Sequence, residues 1–143
     1  MKATYMWLSR LIALGVVLQA AFIALGTFAI FNEAEDGKVF TKDSEYNAGQ
    51  SLHSIFGLGI IPLLALLLLI ISFFAKVPGG VGLAGGVFGL VVLQILLAIF
   101  SFPAPVIGLL HGINAFVIAG VAGLAGKKAN ESASSSAGAV AAA

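Results

Sequence analysis

The chain reads as an all-α integral membrane protein, a four-helix antiparallel bundle running up-down-up-down. Three observations predict it. Charged residues make up only 9% of the 143 positions and hydrophobic ones 60%, where a soluble domain carries about 25% charged residues. The apolar residues gather into four stretches, 7–31, 50–75, 80–102 and 104–126, each close to the roughly 20 residues that cross a bilayer as a helix. The second and third, and the third and fourth, are joined by tight turns, which force antiparallel neighbours. Helices are the open-ended elements that satisfy their own backbone in lipid, and the mean hydropathy of +1.12 agrees.

The first stretch follows Lys2 and contains Arg10. It is too long for the apolar core of a signal peptide, and no small-x-small cleavage site precedes Asn32, so a retained helix is expected. The acidic segment 32–49 follows, with Glu33, Glu35, Asp36, Asp43 and Glu45 against Lys38 and Lys42. Its carboxylates have neither metal-ligand nor paired catalytic spacing, and solvating the membrane face accounts for them. Asp43 or Ser44 is the expected N-cap of the second helix. That helix contains Gly59 and Pro62, which predict a kink. Lys76-Val-Pro-Gly-Gly80 and Ser101-Phe-Pro-Ala-Pro105 are the tight turns. Lys2, Arg10, Lys76, Lys127 and Lys128 fall on one side of the membrane, which predicts both termini in the cytoplasm. Tyr5 and Trp7 are expected at the inner interface and Tyr46 at the outer one. Residues 1–129 form the single domain. The Ala/Ser-rich tail, 130–143, has no core-forming pattern and is expected to be disordered.

Several chemistries are excluded. The chain has no cysteine, which removes disulfides, iron–sulfur clusters, thiolate-ligated haem and c-type attachment. A net charge of +1 without a basic block gives nucleic acid nothing to bind. Gly79-Gly-Val-Gly-Leu-Ala-Gly-Gly86 lacks the Lys-Ser/Thr of a phosphate loop. No Ser/His/Asp constellation is present, and no catalytic activity of its own is expected.

Val16-Val-Leu-Gln19 in the first helix recurs as Val91-Val-Leu-Gln94 in the third, and each of these helices precedes one carrying a histidine, His53 or His111. The chain therefore reads as two duplicated hairpins related by an axis along the membrane normal. His53 and His111 then sit on diagonal helices, facing each other across the bundle. Small residues beside them, Gly57, Gly108, Gly112 and Ala115, would let a flat ring approach the backbone. Asn114 and Ser54 are placed to hydrogen-bond an imidazole or a carboxylate. Met1 and Met6 lie at the opposite end of the bundle, which argues against His/Met ligation. Facing helices of a bundle commonly supply two axial nitrogens to haem iron, so His53 and His111 are the expected metal ligands and haem b the expected cofactor. Each histidine also has a plainer reading as a packing or interfacial residue, and Gly108-x-x-x-Gly112 packs membrane helices with no cofactor. Gln19 and Gln94 read first as interhelical hydrogen-bond glue.

The order Leu-Gln19, His53, Leu-Gln94, Leu-Leu-His111-x-x-Asn114-Ala resembles a family of small bacterial four-helix membrane proteins, and the plan is similar to one half of haem A synthase. Over residues 7–126 that resemblance implies His53 and His111 as haem ligands. With one bundle and no cysteine, it does not extend to the synthase activity. The resulting expectation is a cytochrome b-like protein for electron transfer or haem handling. The alternative is a cofactor-free accessory subunit of a larger membrane complex, packing through Gly82, Gly85, Gly86 and Gly89 on the third helix. A third reading is a lipid or quinone pocket lined by Phe56, Phe88 and Phe116, with His111 as its anchor.

Overall fold

The computed structural model describes residues 1–141, with side chains described through Ser135. Four helices follow one another: α1 (Lys2–Glu35), α2 (Ala48–Ala75), α3 (Gly80–Ser101) and α4, which begins at Ile107 and continues to Ala141. Each is long and apolar enough to cross a membrane, and no strand occurs among the described residues. The chain is an integral membrane four-helix bundle. Its outward surface is apolar: Leu14, Phe28, Leu63, Phe73, Leu96, Ile99, Leu109 and Ile113 are all exposed, as contact with lipid requires.

Packing runs α1–α2–α3–α4 and closes through a long α1–α4 contact, so α2 and α4 are diagonal. The start of α1, the far part of α4 and the α2–α3 turn share one end, the terminal end. Residues 36–47 and the α3–α4 turn share the other, the loop end. The α2–α3 turn reverses direction through left-handed backbone at Lys76 (φ 52°) and Gly79 (φ 69°).

The terminal half is dense. Tyr5, Ser9, Ile12, Leu68, Val87, Ile118, Ala122 and Ala125 are buried there. Gly126 lets α4 lie against α1, since a Cβ would already touch Arg10, Met6 and Ser9 at 3.4–3.5 Å. Tyr5 turns into this core, and its hydroxyl donates to the Gly80 carbonyl at 2.8 Å. Trp7 does stay exposed, with the Arg10 guanidinium 5.2 Å from its ring centre.

The buried positions carry the duplication well past the repeated Val-Val-Leu-Gln. Ser9, Ile12 and Val16 in α1 have the spacing of Ala84, Val87 and Val91 in α3. Ile61, Ala65, Leu68 and Ser72 in α2 have the spacing of Ile118, Ala122, Ala125 and Ala129 in α4. The histidine-to-core distance is one residue longer in α2 (His53 to Ile61) than in α4 (His111 to Ile118). A π turn over Phe56–Ile60 absorbs that residue, the Ile61 N–H donating to the Phe56 carbonyl. A π turn holds one residue more than an α turn and keeps the flanking segments in phase. This irregularity stands where Gly59 and Pro62 predict a kink; Pro62, without an N–H, sits at the start of the regular helix that follows.

Two boundaries differ from expectation. The cap of α2 is Asn47, in a capping box with Gln50, rather than Asp43 or Ser44. His53 is therefore less than two turns into its helix. In α4 the helix runs on through residues 130–141, where a disordered tail is expected from composition. Alanine is the best helix former, and Lys127–Glu131 adds an i,i+4 pair. The remainder of that expected tail, 142–143, lies outside the described residues.

Candidate functional site

At the loop end the hairpins separate. Within the first hairpin α1 and α2 touch backbone to backbone: a Cβ on Gly49 would stand 2.2 Å from the Gly26 nitrogen and 2.6 Å from the Phe22 carbonyl oxygen. The Asn47 amide locks this contact by donating to the Gly26 carbonyl at 2.8 Å. The loop-end part of α2, Ala48 to Ile60, packs on α1 and has no comparable packing on α3 or α4. Into the resulting gap project His53 and His111, both half-buried, with ring centres 6.3 Å apart and planes inclined at 58°. The diagonal placement expected from the duplicated hairpins is thus the observed one.

Each imidazole is held by its own hairpin. His53 Nδ1 lies 3.1 Å from the Gln19 carbonyl oxygen, and His111 Nδ1 lies 3.1 Å from the Gln94 carbonyl oxygen. A carbonyl only accepts, so both rings carry a proton on Nδ1, and it is Nε2 of each that is left for another partner. A helical carbonyl can take this second bond because its oxygen has two lone pairs. The repeated glutamines therefore serve the histidines through their main chains, a role that the side-chain pattern does not encode.

The side chains of the two glutamines diverge. The Gln94 amide nitrogen donates to the His111 carbonyl at 3.0 Å, and its oxygen accepts from Asn114 Nδ2 at 2.7 Å. Asn114 Nδ2 also donates to the Leu90 carbonyl at 3.0 Å. Asn114 is thus spent on α3: it braces the glutamine that holds His111 instead of meeting an imidazole itself. In the first hairpin the position matching Asn114 is Phe56, three residues after His53, and its ring packs edge-on against Phe22 at 5.1 Å. Gln19 has no such partner, and both its amide nitrogen and its amide oxygen are buried without a hydrogen bond.

The glycines divide. Gly57 faces the Gln19 amide, where a Cβ would lie 3.4 Å from Nε2. Gly108 faces Ser101 on α3, with Oγ 3.8 Å from the position of a Cβ, so it serves the α3–α4 contact. Gly112, next to His111, is exposed with open space beside it. Phe116 is 79% exposed and turned away from the interior, so Phe56, Phe88 and Phe116 do not line one pocket. Gly26 and Gly49, which bring the first hairpin together, are not singled out by sequence pattern; among 18 glycines in apolar surroundings nothing marks these two.

Chemically, the gap holds two imidazole rings from diagonal helices, each anchored through Nδ1. Among the described residues no group of three His, Cys, Asp or Glu side chains gathers to hold an ion. Such a pair suits a metal that brings its own equatorial ligands and needs only axial ones. Compared with known proteins, the chain matches no family, no curated protein and no solved structure.

Proposed function

We propose that the protein binds one haem b between His53 and His111 and serves electron transfer or haem handling in a bacterial plasma membrane, with both termini cytoplasmic. The observation that carries this reading is the facing pair of Nδ1-protonated imidazoles. Metal–imidazole bonds of about 2.0–2.1 Å on opposite sides of one ion put the ring centres about 6 Å apart, and the observed separation is 6.3 Å. Beside the pair lie a buried amide without a hydrogen bond, at Gln19, and a glycine packed on it, Gly57. A haem seated there supplies one-electron chemistry. The chain's own part is to aim the two Nε2 lone pairs, fix the tautomers through the Gln19 and Gln94 carbonyls, and shield the site with lipid-facing helices. A donated Nδ1–H raises the basicity of the ligating nitrogen. The likeness in plan to one half of haem A synthase supports the ligand assignment and carries no synthase activity. The cytoplasmic termini follow from the lysine and arginine bias.

The test is a reduced-minus-oxidised visible spectrum of detergent-purified protein expressed with haem available. A sharp alpha band, lost in both His53→Ala and His111→Ala while each variant stays inserted, is the expected result. An unchanged spectrum in either variant overturns the assignment. Each substitution removes one hydrogen bond, worth about 1 kcal/mol, so the apoprotein is expected to lose only a few degrees of thermal stability.

A second reading rests on α3. Gly82, Gly85 and Gly89 have nothing within 4 Å of the position of a Cβ, so this small-residue face is free to receive a helix of a neighbouring subunit. A colourless protein that leaves detergent extracts only in a larger complex, and is released by Gly85→Leu, would support an accessory role.

A further inference from the structure

The segment between α1 and α2 folds against the ends of both helices and forms with them an open cavity of about 270 Å³, to which neither histidine contributes. Ile30 of α1 and Phe40 give its lining an apolar part, and Thr41, Lys42, Ser44 and Glu45 give it donors and charge. The two hydroxyls accept from the main chain: Ser44 Oγ from the Thr41 N–H at 2.9 Å and Thr41 Oγ1 from the Asp43 N–H at 3.3 Å. Each keeps its own proton, which no acceptor among the described residues takes. Together with the Lys42 ammonium they make a donor set that suits a phosphate. Lys42 meets Asp43 at 3.7 Å, with both side chains largely exposed, a contact that holds the ammonium only weakly. Glu45 has no ion pair among the described residues and is open to a cation. The stretch from Glu33 to Glu45 carries five carboxylates against two ammonium groups, so it repels an anion that brings no positive charge of its own. Ile30 stands between Phe28 and Phe31, both exposed on α1, which puts the cavity beside apolar surface that faces lipid.

We propose that this cavity seats the phosphoethanolamine head of a phospholipid from the leaflet at the loop end. The phosphate accepts from Thr41, Ser44 and Lys42, the ammonium pairs with Glu45, and the acyl chains lie along α1 past Ile30. A lipid held there ties the long α1–α2 connection to the membrane surface. The site uses none of the residues of the haem reading and stands without it.

The test is native mass spectrometry of the detergent-purified full-length protein, titrated with phosphatidylethanolamine or with phosphatidylglycerol, an anionic lipid that lacks the ammonium. Wild type is expected to bind the first about fivefold more tightly, the effect of one exposed ion pair. Lys42→Gln and Glu45→Gln are each expected to weaken phosphatidylethanolamine about three- to fivefold, and Glu45→Gln to remove the preference between the two lipids. Both residues are exposed, so both variants are expected to keep the wild-type unfolding midpoint. Lys38→Gln is the control for charge alone: Lys38 pairs with Glu33 in the same segment and does not line the cavity, and both affinities are expected to stay unchanged. Free phosphoethanolamine at the concentration of the lipid is expected not to displace it, having no chains to lay on α1. Equal affinity of wild type for the two lipids, or a loss in Lys38→Gln as large as in Lys42→Gln, would overturn the proposal. Displacement by the free head group would overturn it too, and would assign the cavity to a soluble zwitterion.

Discussion

The two hairpins share one framework and close it differently. In the second, side chains do the closing: Gln94 and Asn114 form a network that ties α4 to α3 and leaves no polar atom of the Gln94 amide over. In the first, main chains do it: Gly26 meets Gly49 directly, Asn47 clamps the contact, and an aromatic pair, Phe22–Phe56, takes the place of the amide network. The consequence is a difference in how the two amides are satisfied. A hairpin held by backbone contact and aromatic packing can leave a glutamine side chain free, whereas a hairpin held by that side chain cannot. Duplication supplied two equivalent histidines, and the different closures made their surroundings unequal.

The contrast breaks most sharply at the glycines. Gly49→Ala places a methyl group on the α1 backbone, with no flexible side chain to yield, and is expected to cost about 3 kcal/mol, the upper part of the range for overpacking. Its loss should be visible as a large drop in the unfolding midpoint of the detergent-solubilised protein. Gly108→Ala in the second hairpin meets only Ser101 at an ordinary distance and gains helix propensity, so a change within about 1 kcal/mol, in either direction, is expected. If both substitutions prove equally mild, the backbone clamp is not what holds the first hairpin.

A smaller effect is expected at Asn114. Asn114→Leu leaves the Gln94 oxygen without its donor and should cost about 1–2 kcal/mol, the penalty of an unsatisfied buried acceptor, read as a lower unfolding midpoint. The converse substitution sharpens the comparison. Phe56→Asn gives the first hairpin the residue that satisfies Gln94 in the second. Because the new amide can pair with Gln19, Phe56→Asn is expected to lose about 1 kcal/mol less stability than Phe56→Ala. Equal losses in Phe56→Asn and Phe56→Ala would mean that an asparagine at this place does not reach the amide.

Much of this was legible from composition and order. Four apolar stretches of bilayer length, two of their three connections too short for anything but antiparallel neighbours, determined the bundle and put the second and fourth helices on a diagonal. Once Val-Val-Leu-Gln was seen twice with a histidine downstream of each, the facing imidazoles followed from topology. Periodicity and spacing are properties of the chain itself, and lipid removes the alternatives to helix.

What the histidines are tied to belongs to the tertiary structure alone. A main-chain carbonyl exists at every residue, so no letter of the sequence distinguishes those of Gln19 and Gln94 as the partners of two rings. The same holds for the π turn at Phe56–Ile60, which exists because one extra residue must be taken up between a histidine and a core that already have fixed counterparts in α4. It holds for the direction of Tyr5, chosen by a carbonyl at Gly80 left within reach. And it holds for Gln19: that its amide is idle while that of Gln94 is closed depends on which side chain stands across the interface, phenylalanine or asparagine. Only packing the helices together decides that.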